Sequence, residues 1–262
     1  LSERARTLDR DGVQIYYEVH GPKADEARAT VLLTHGFSAT SRMWTPQLKA
    51  LTEQYQLVIW DMRGHGKSDS PADLSCYNEA LTVRDMAALL DAIDVQSAVI
   101  GGLSLGGYMS LAFAMTYPER TRALMVFDTG PGYRRDAPRD GWNRSAVQTA
   151  KALEKKGFDG LTSSSAEVAS AQHDSAEGLA RAARGMLTQT DAHIIEGLAE
   201  LAMPTLVLAG ELDEPFLAAT DYMARKIPGA ARVILEGAGH AANLDRPKGF
   251  NAVVQEFLDR AV

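Results

Sequence analysis

Short apolar runs alternate along the chain with longer segments whose apolar residues recur at helical spacing. Val31-Leu32-Leu33, Leu57-Val58-Ile59-Trp60, Ala98-Val99-Ile100 and Leu124-Met125-Val126-Phe127 are too short for helices and have no polar alternation. Such runs predict strands covered on both faces. Residues 204–209 and 231–235 predict two more. Earlier, residues 4–9 and 13–19 flank Asp11-Gly12, a hairpin turn signal. Val13, Ile15, Tyr17 and Val19 fall on one face, which places this pair at a sheet edge. Ser41 reads as the cap of a helix running to about residue 53. Leu81, Met86, Leu89, Leu90 and Ile93 mark a helix over 79–93, residues 108–117 another, and 247–260 a closing one. The alternation predicts an α/β fold: an eight-stranded, mostly parallel sheet flanked by helices.

The pattern lapses between residues 129 and 202, where no buried strand is evident. Thr129 to Trp142 reads as a loop. Helical patterns follow at about 145–156, 177–188 and 191–201, around a Ser/Ala-rich stretch, 162–176, read as a mobile part of a lid. The expected organisation is therefore a core of residues 1–128 and 203–262, with 129–202 inserted after the sixth strand as a helical cap. Open α/β sheets bind ligands beyond the carboxyl ends of their strands.

Composition narrows the function. At 262 residues and 45% hydrophobic, the chain can bury a sizeable core. A net charge of −7 argues against nucleic acid or an anionic membrane as partner. No apolar run approaches the roughly 20 residues of a membrane span. The first residues form no signal sequence, and the default expected location is cytoplasmic. The chain opens without Met, as a trimmed or mature chain would. Cys76 is the single cysteine, so no disulfide can form within the chain, and it reads as a bystander thiol. No HExxH or cysteine pair points to a metal. No cofactor is expected.

The chemistry centres on Gly101-Gly102-Leu103-Ser104-Leu105-Gly106-Gly107, a G-x-S-x-G pattern between a predicted strand and a predicted helix. A sharp strand-to-helix turn strains its central residue, demands small neighbours and lifts the hydroxyl toward a cleft. The plainer alternative is a Gly-rich bend that only packs the helix on its strand. A serine hydroxyl needs a base held in one tautomer. Of six histidines, His240 follows the last strand in a Gly-rich loop and is the expected base. Asp213, after the penultimate strand, is the first choice of orienting acid, with Asp128 as competitor and Glu211 pointing elsewhere. Backbone N–H groups suit the oxyanion of a tetrahedral intermediate. Leu105 would supply one. Phe37, in His35-Gly36-Phe37, would supply the second, with Gly36 allowing the bend and His35 bracing the loop.

These residues resemble the α/β-hydrolase fold superfamily over nearly the whole chain. The order Ser104, Asp213, His240 matches the family order. His35-Gly36-Phe37 is similar to its oxyanion loop, and Asp61-Met62-Arg63-Gly64-His65-Gly66-Lys67-Ser68-Asp69 to its Arg-Gly-His-Gly-x-Ser segment. Residues 102–120 resemble those of small carboxylesterases and 3-oxoadipate enol-lactonase-like members. The resemblance implies Ser104, Asp213 and His240 as catalytic residues, Phe37 and Leu105 as oxyanion donors, and a small-molecule ester or lactone as substrate. Family members that hydrolyse epoxides or carbon–halogen bonds use an aspartate nucleophile, which Ser104 argues against.

Tyr133, Trp142 and Phe216 are candidates for lining the acyl pocket, or for cap core. Arg134, Arg135, Arg139 and Arg144 would meet a substrate carboxylate or form a solvated face. Gly66-Lys67-Ser68 lacks the first glycine of a P-loop. Too little chain follows Gly237-Ala238-Gly239-His240 for a dinucleotide fold. Rival functions are a carbon–carbon bond hydrolase or perhydrolase with the same triad, and a ligand receptor with negligible turnover.

Overall fold

The computed structural model describes residues 4–161 and 165–262. Residues 1–3, and 162–164 of the stretch read as mobile, lie outside the described residues. The chain begins with β1 (Arg4–Arg10) and β2 (Val13–His20), then β3 (Thr30–Thr34), α1 (Thr45–Leu51), β4 (Gln56–Trp60) and α2 (Glu79–Asp91). β5 (Ala98–Leu103), α3 (Leu105–Thr116) and β6 (Thr121–Phe127) follow. Next come four helices: α4 (Asp136–Lys156), α5 (Ala166–Ala169), α6 (Ala176–Gly185) and α7 (His193–Gly197). β7 (Thr205–Gly210), α8 (Glu214–Lys226), β8 (Ala231–Leu235), α9 (Ala242–Asp245) and α10 (Pro247–Ala261) complete it.

The strands form one eight-stranded sheet in the order β1-β2-β4-β3-β5-β6-β7-β8. β1 and β2 pair antiparallel at one edge, β2 pairs antiparallel with β4, and all other pairs are parallel. At the hairpin, Asp11 (φ 57°) and Gly12 (φ 83°) are both left-handed, as a two-residue turn between twisted strands requires. The apolar runs alternate between two cores. Leu32, Val58, Ile100 and Val126 face one side, and Val31, Leu57, Val99 and Met125 the other. β5 lies centrally, so its carboxyl end, carrying Ser104, stands between the ends of β3 and β6.

Local structure departs from the sequence pattern at several points. Ser41 caps no helix: its N–H donates to Asp61 Oδ1 at 2.7 Å, and it opens a 3₁₀ turn leading into α1. α4 begins at Asp136, inside the segment read as a loop, because Pro138 in the first helical turn needs no N–H partner. α7 is one short turn followed by a 3₁₀ segment, not a helix over 191–201. α8 carries little apolar signal, since only Thr220 and Met223 of it are buried. Between β6 and β7 no strand forms among the described residues. Ala150, Leu153, Leu179, Ala180 and Ala183 of α4 and α6 make a small core of their own, with Phe37 packed against it.

Candidate active site

Ser104 sits where β5 turns into α3, at φ 56° and ψ −118°, a sparsely populated region for a side-chain-bearing residue. Its backbone is held from several sides. The N–H donates to the Phe127 carbonyl at 2.9 Å, while the Ser104 carbonyl accepts from Tyr108 N–H at 3.0 Å and Thr129 Oγ1 at 2.7 Å. The small neighbours are needed: a Cβ on Gly102 would lie 2.4 Å from Gly106 backbone, and one on Gly106 2.2 Å from the Thr34 carbonyl. Such crowding is what forces the hydroxyl outward.

The two expected oxyanion donors lie on the residue after Ser104 and on the loop after β3. Leu105 opens α3, so its N–H has no acceptor within the helix. Phe37 follows Gly36, where an added Cβ would stand 3.4 Å from Ser104 Cβ. Neither N–H donates to another described group. The left-handed residue of this loop is Ser38 (φ 55°), not Gly36, so the bend expected at Gly36 falls two residues later. His35 braces the loop from beneath. Its Nδ1–H donates to the Gly36 carbonyl at 2.7 Å and its Nε2 accepts Met62 N–H at 2.9 Å. Burial drives its pKa down from 6.5 to about 4, against the opposing pull of Asp61, which keeps it neutral.

The Asp61-to-Asp69 segment is scaffold. Asp61 accepts from Ser41 and Lys67 N–H groups, and Arg63 forms a buried two-pronged ion pair with Asp85 of α2 at 2.6 and 2.9 Å. His65 lies 4.9 Å from the His35 ring and edge-on to Phe37 at 5.6 Å. His173 joins this stack at 5.8 Å. Its Nε2–H donates to the Ser38 carbonyl at 2.9 Å, while Nδ1 accepts Gly66 N–H at 3.0 Å. One residue of the segment between β6 and β7 thus grips the backbone next to Phe37.

Asp213 precedes α8, buried, and accepts from His240 Nδ1–H at 2.9 Å. That bond leaves His240 Nε2 with a free lone pair. Burial lowers the imidazole pKa, but the Asp213 hydrogen bond and charge, with Asp128 and Glu167, outweigh it and raise the pKa above 6.5. Asp128 takes a different job: its Oδ1 accepts Gly210 N–H at 2.7 Å, and burial pushes its carboxyl well up. Glu211 accepts Gly237 N–H and Asp245 accepts Gly239 N–H, so this glycine loop is committed to carboxylates rather than to phosphate. No hydrogen bond joins Ser104 to His240 among the described residues. Phe216 links them, stacking on His240 at 5.2 Å and lining with Ser104 a cavity of about 270 Å³.

Tyr133 and Trp142 line the same cavity, with Trp142 Nε1–H anchored on the Leu187 carbonyl at 2.7 Å. Arg134, Arg135, Arg139 and Arg144 do not line it. Thr129, Tyr108, Gln189, His173 and Glu167 belong to the surroundings of this site and have no motif spacing in the sequence. Only the position of Thr129, just beyond a strand end, could have marked it. Cys76 is half-buried and does not line this cavity, and no cluster among the described residues could hold a metal ion. No described helix is long and apolar enough to cross a membrane.

The pattern that defines the alpha/beta hydrolase family matches residues 31–253. A putative 2-succinyl-6-hydroxy-2,4-cyclohexadiene-1-carboxylate synthase of Bacillus subtilis is 29% identical, covering 95% of this chain and 96% of the relative. 3-Oxoadipate enol-lactonase 1 of Acinetobacter baylyi is 27% identical, covering 95% of each. Among solved structures, a thermophilic esterase from Thermogutta terrifontis superposes with a TM-score of 0.82 at 26% identity, over 100% of this chain and 99% of that one.

Proposed function

Because the chain belongs to the alpha/beta hydrolase family, we propose that it is a carboxylic ester hydrolase, an esterase or lactonase, acting through Ser104, His240 and Asp213. The observation that carries this reading is the strained turn of Ser104, facing an apolar cavity whose wall Phe216 continues onto the His240–Asp213 pair. His240 Nε2 takes the Ser104 proton as the oxygen attacks the ester carbonyl. Catalytic hydrogen bonds of this kind often close only when substrate seats. Asp213 keeps the imidazole in the Nδ1–H tautomer and stabilises the imidazolium. The N–H groups of Phe37 and Leu105 receive the oxyanion, each such donor being worth about 3–4 kcal/mol in the transition state. The imidazolium then protonates the departing alkoxide. Water, deprotonated by His240, attacks the acyl-enzyme; the bond to Ser104 Oγ breaks, the imidazolium returns its proton to that oxygen, and the acid leaves. Residues 129–202 act as a cap over this chemistry, supplying Tyr133, Trp142 and Gln189 to the cavity wall.

The test is Ser104→Ala. It is expected to abolish turnover of a short-chain 4-nitrophenyl ester and labelling by a fluorophosphonate probe, with an unchanged circular dichroism spectrum. Wild-type turnover in that variant would reject the mechanism.

A further inference from the structure

The cavity beside Ser104 has no Asp, Glu, Lys, Arg or His side chain in its wall. Tyr108, Tyr133, Trp142, Leu187 and Phe216 supply much of an apolar surface. The Thr129 hydroxyl is committed to the Ser104 carbonyl and the Trp142 indole N–H to Leu187. One side-chain amide remains, that of Gln189. Its backbone is locked to Asn143 by two bonds of 2.8 Å. Gly132 (φ 82°) gives it room, since an added Cβ there would lie 2.8 Å from Gln189 Oε1. That oxygen is buried with no hydrogen-bond partner, and Nε2 donates to no described group. The amide Nε2, without a described acceptor, is the group of this wall left to meet a ligand, because an unmet polar group costs about 1–3 kcal/mol until a ligand completes it.

Carboxyls, not cations, stand beside the reacting centre: Asp213 bonds the His240 ring, and Glu167 is buried with its Oε2 unpartnered. No arginine lines the cavity; Arg139 pairs with Asp136 and donates to the Tyr133 carbonyl, while Arg134 faces Glu196. A carboxylate entering this cavity would lose its hydration and meet no cation. A hydrocarbon chain of the same length would gain from burial. At about 270 Å³ the space lies just under the ~300–1,000 Å³ of drug-sized sites, so the group it holds is small.

We infer that the cavity receives an uncharged, mainly hydrocarbon part of the ester, with one hydroxyl or carbonyl in reach of Gln189, and rejects a part that carries a carboxylate. The inference rests on the hydrolase reading and names its substrate class.

The experiment compares three 4-nitrophenyl esters of one chain length: hexanoate, 6-hydroxyhexanoate and the monoester of hexanedioic acid. Occupancy is read as kcat/KM, or as protection of Ser104 from a fluorophosphonate probe where turnover is slow. The acid-bearing ester is expected to be at least about tenfold poorer than hexanoate. In Gln189→Leu the ratio of the hydroxy ester to hexanoate falls, and in Gln189→Lys the ratio of the acid-bearing ester to hexanoate rises. Ratios within one variant are independent of how much of it folds. A wild-type ratio of acid-bearing ester to hexanoate that lies within tenfold overturns the inference while Ser104 still labels. So do hydroxy-ester and acid-ester ratios that Gln189 substitutions leave unmoved. Absence of both labelling and turnover overturns the hydrolase reading, and the inference falls with it.

Discussion

Ser104 is held in a conformation that costs on the order of 1–3 kcal/mol. The hydrogen bonds from Thr129 and Tyr108 and to Phe127 keep it there. Glycine would occupy the same φ and ψ without that strain, at an entropic cost of roughly 0.5–1 kcal/mol. Ser104→Gly is therefore expected to be inactive yet more stable, by about 1 kcal/mol in urea unfolding. At His240 the sign of the pH effect follows from the role. Only the neutral imidazole accepts a proton, and its pKa is raised. kcat/KM should thus climb with pH through a midpoint above 6.5 and then level off. Asp213→Asn removes both the hydrogen bond and the charge that raise it. The midpoint should move down, and kcat should fall by about 10³–10⁴.

At the scale of elements, the segment between β6 and β7 and the loop after β3 are packed together. Phe37 packs on the small core of α4 and α6. His173, just before α6, uses both ring nitrogens to hold Ser38 and Gly66. Phe158 stacks on its outer face at 6.2 Å. The proposed oxyanion donor at Phe37 is thereby held partly by residues between β6 and β7. His173→Ala is expected to lower kcat about tenfold or more, with a smaller change in KM, because small misplacements of transition-state donors are costly. Equal loss in both constants would point to general loosening of the site. Below the loop, the Arg63–Asp85 pair fixes the Asp61-to-Asp69 segment to α2, so the site rests on packed elements.

At the scale of the whole molecule, burial of histidines ties stability to pH. His35, His65 and His173 are all held below 6.5, with burial as the leading cause in each. The unfolded chain takes up protons at these positions as pH falls below 6.5, and the folded chain does not, so acid favours unfolding. His240 and His193, whose pKa values are raised, add stability that is already complete below 6.5, whereas the carboxyls of Asp128 and Glu79, raised chiefly by burial, take up protons in the folded chain as pH falls and offset part of the loss. The unfolding free energy should drop between pH 6.5 and about 4, by up to about 1.4 kcal/mol per pH unit for each such histidine before the carboxyl offset. A pH 7-to-5 drop that His65→Gln leaves unchanged would contradict the burial of the cluster.

Strand order along the chain, the two-sided burial of the sheet and the Gly-x-Ser-x-Gly turn were all legible in the sequence, since each depends on a local period or on backbone crowding within a few residues. The candidates Ser104, Asp213, His240 and Phe37 were legible for the same reason, each lying just beyond a strand end. Tertiary structure alone decided that the His240 ring bonds to Asp213 and that Asp128 turns to Gly210, because both acids follow strands and only the fold sets which faces the imidazole. It also decided the start of α4, the left-handed Ser38, the grip of His173 and the placing of Gln189 in the cavity wall. These contacts join residues far apart in the chain, and no spacing along a sequence encodes the distance between them in space.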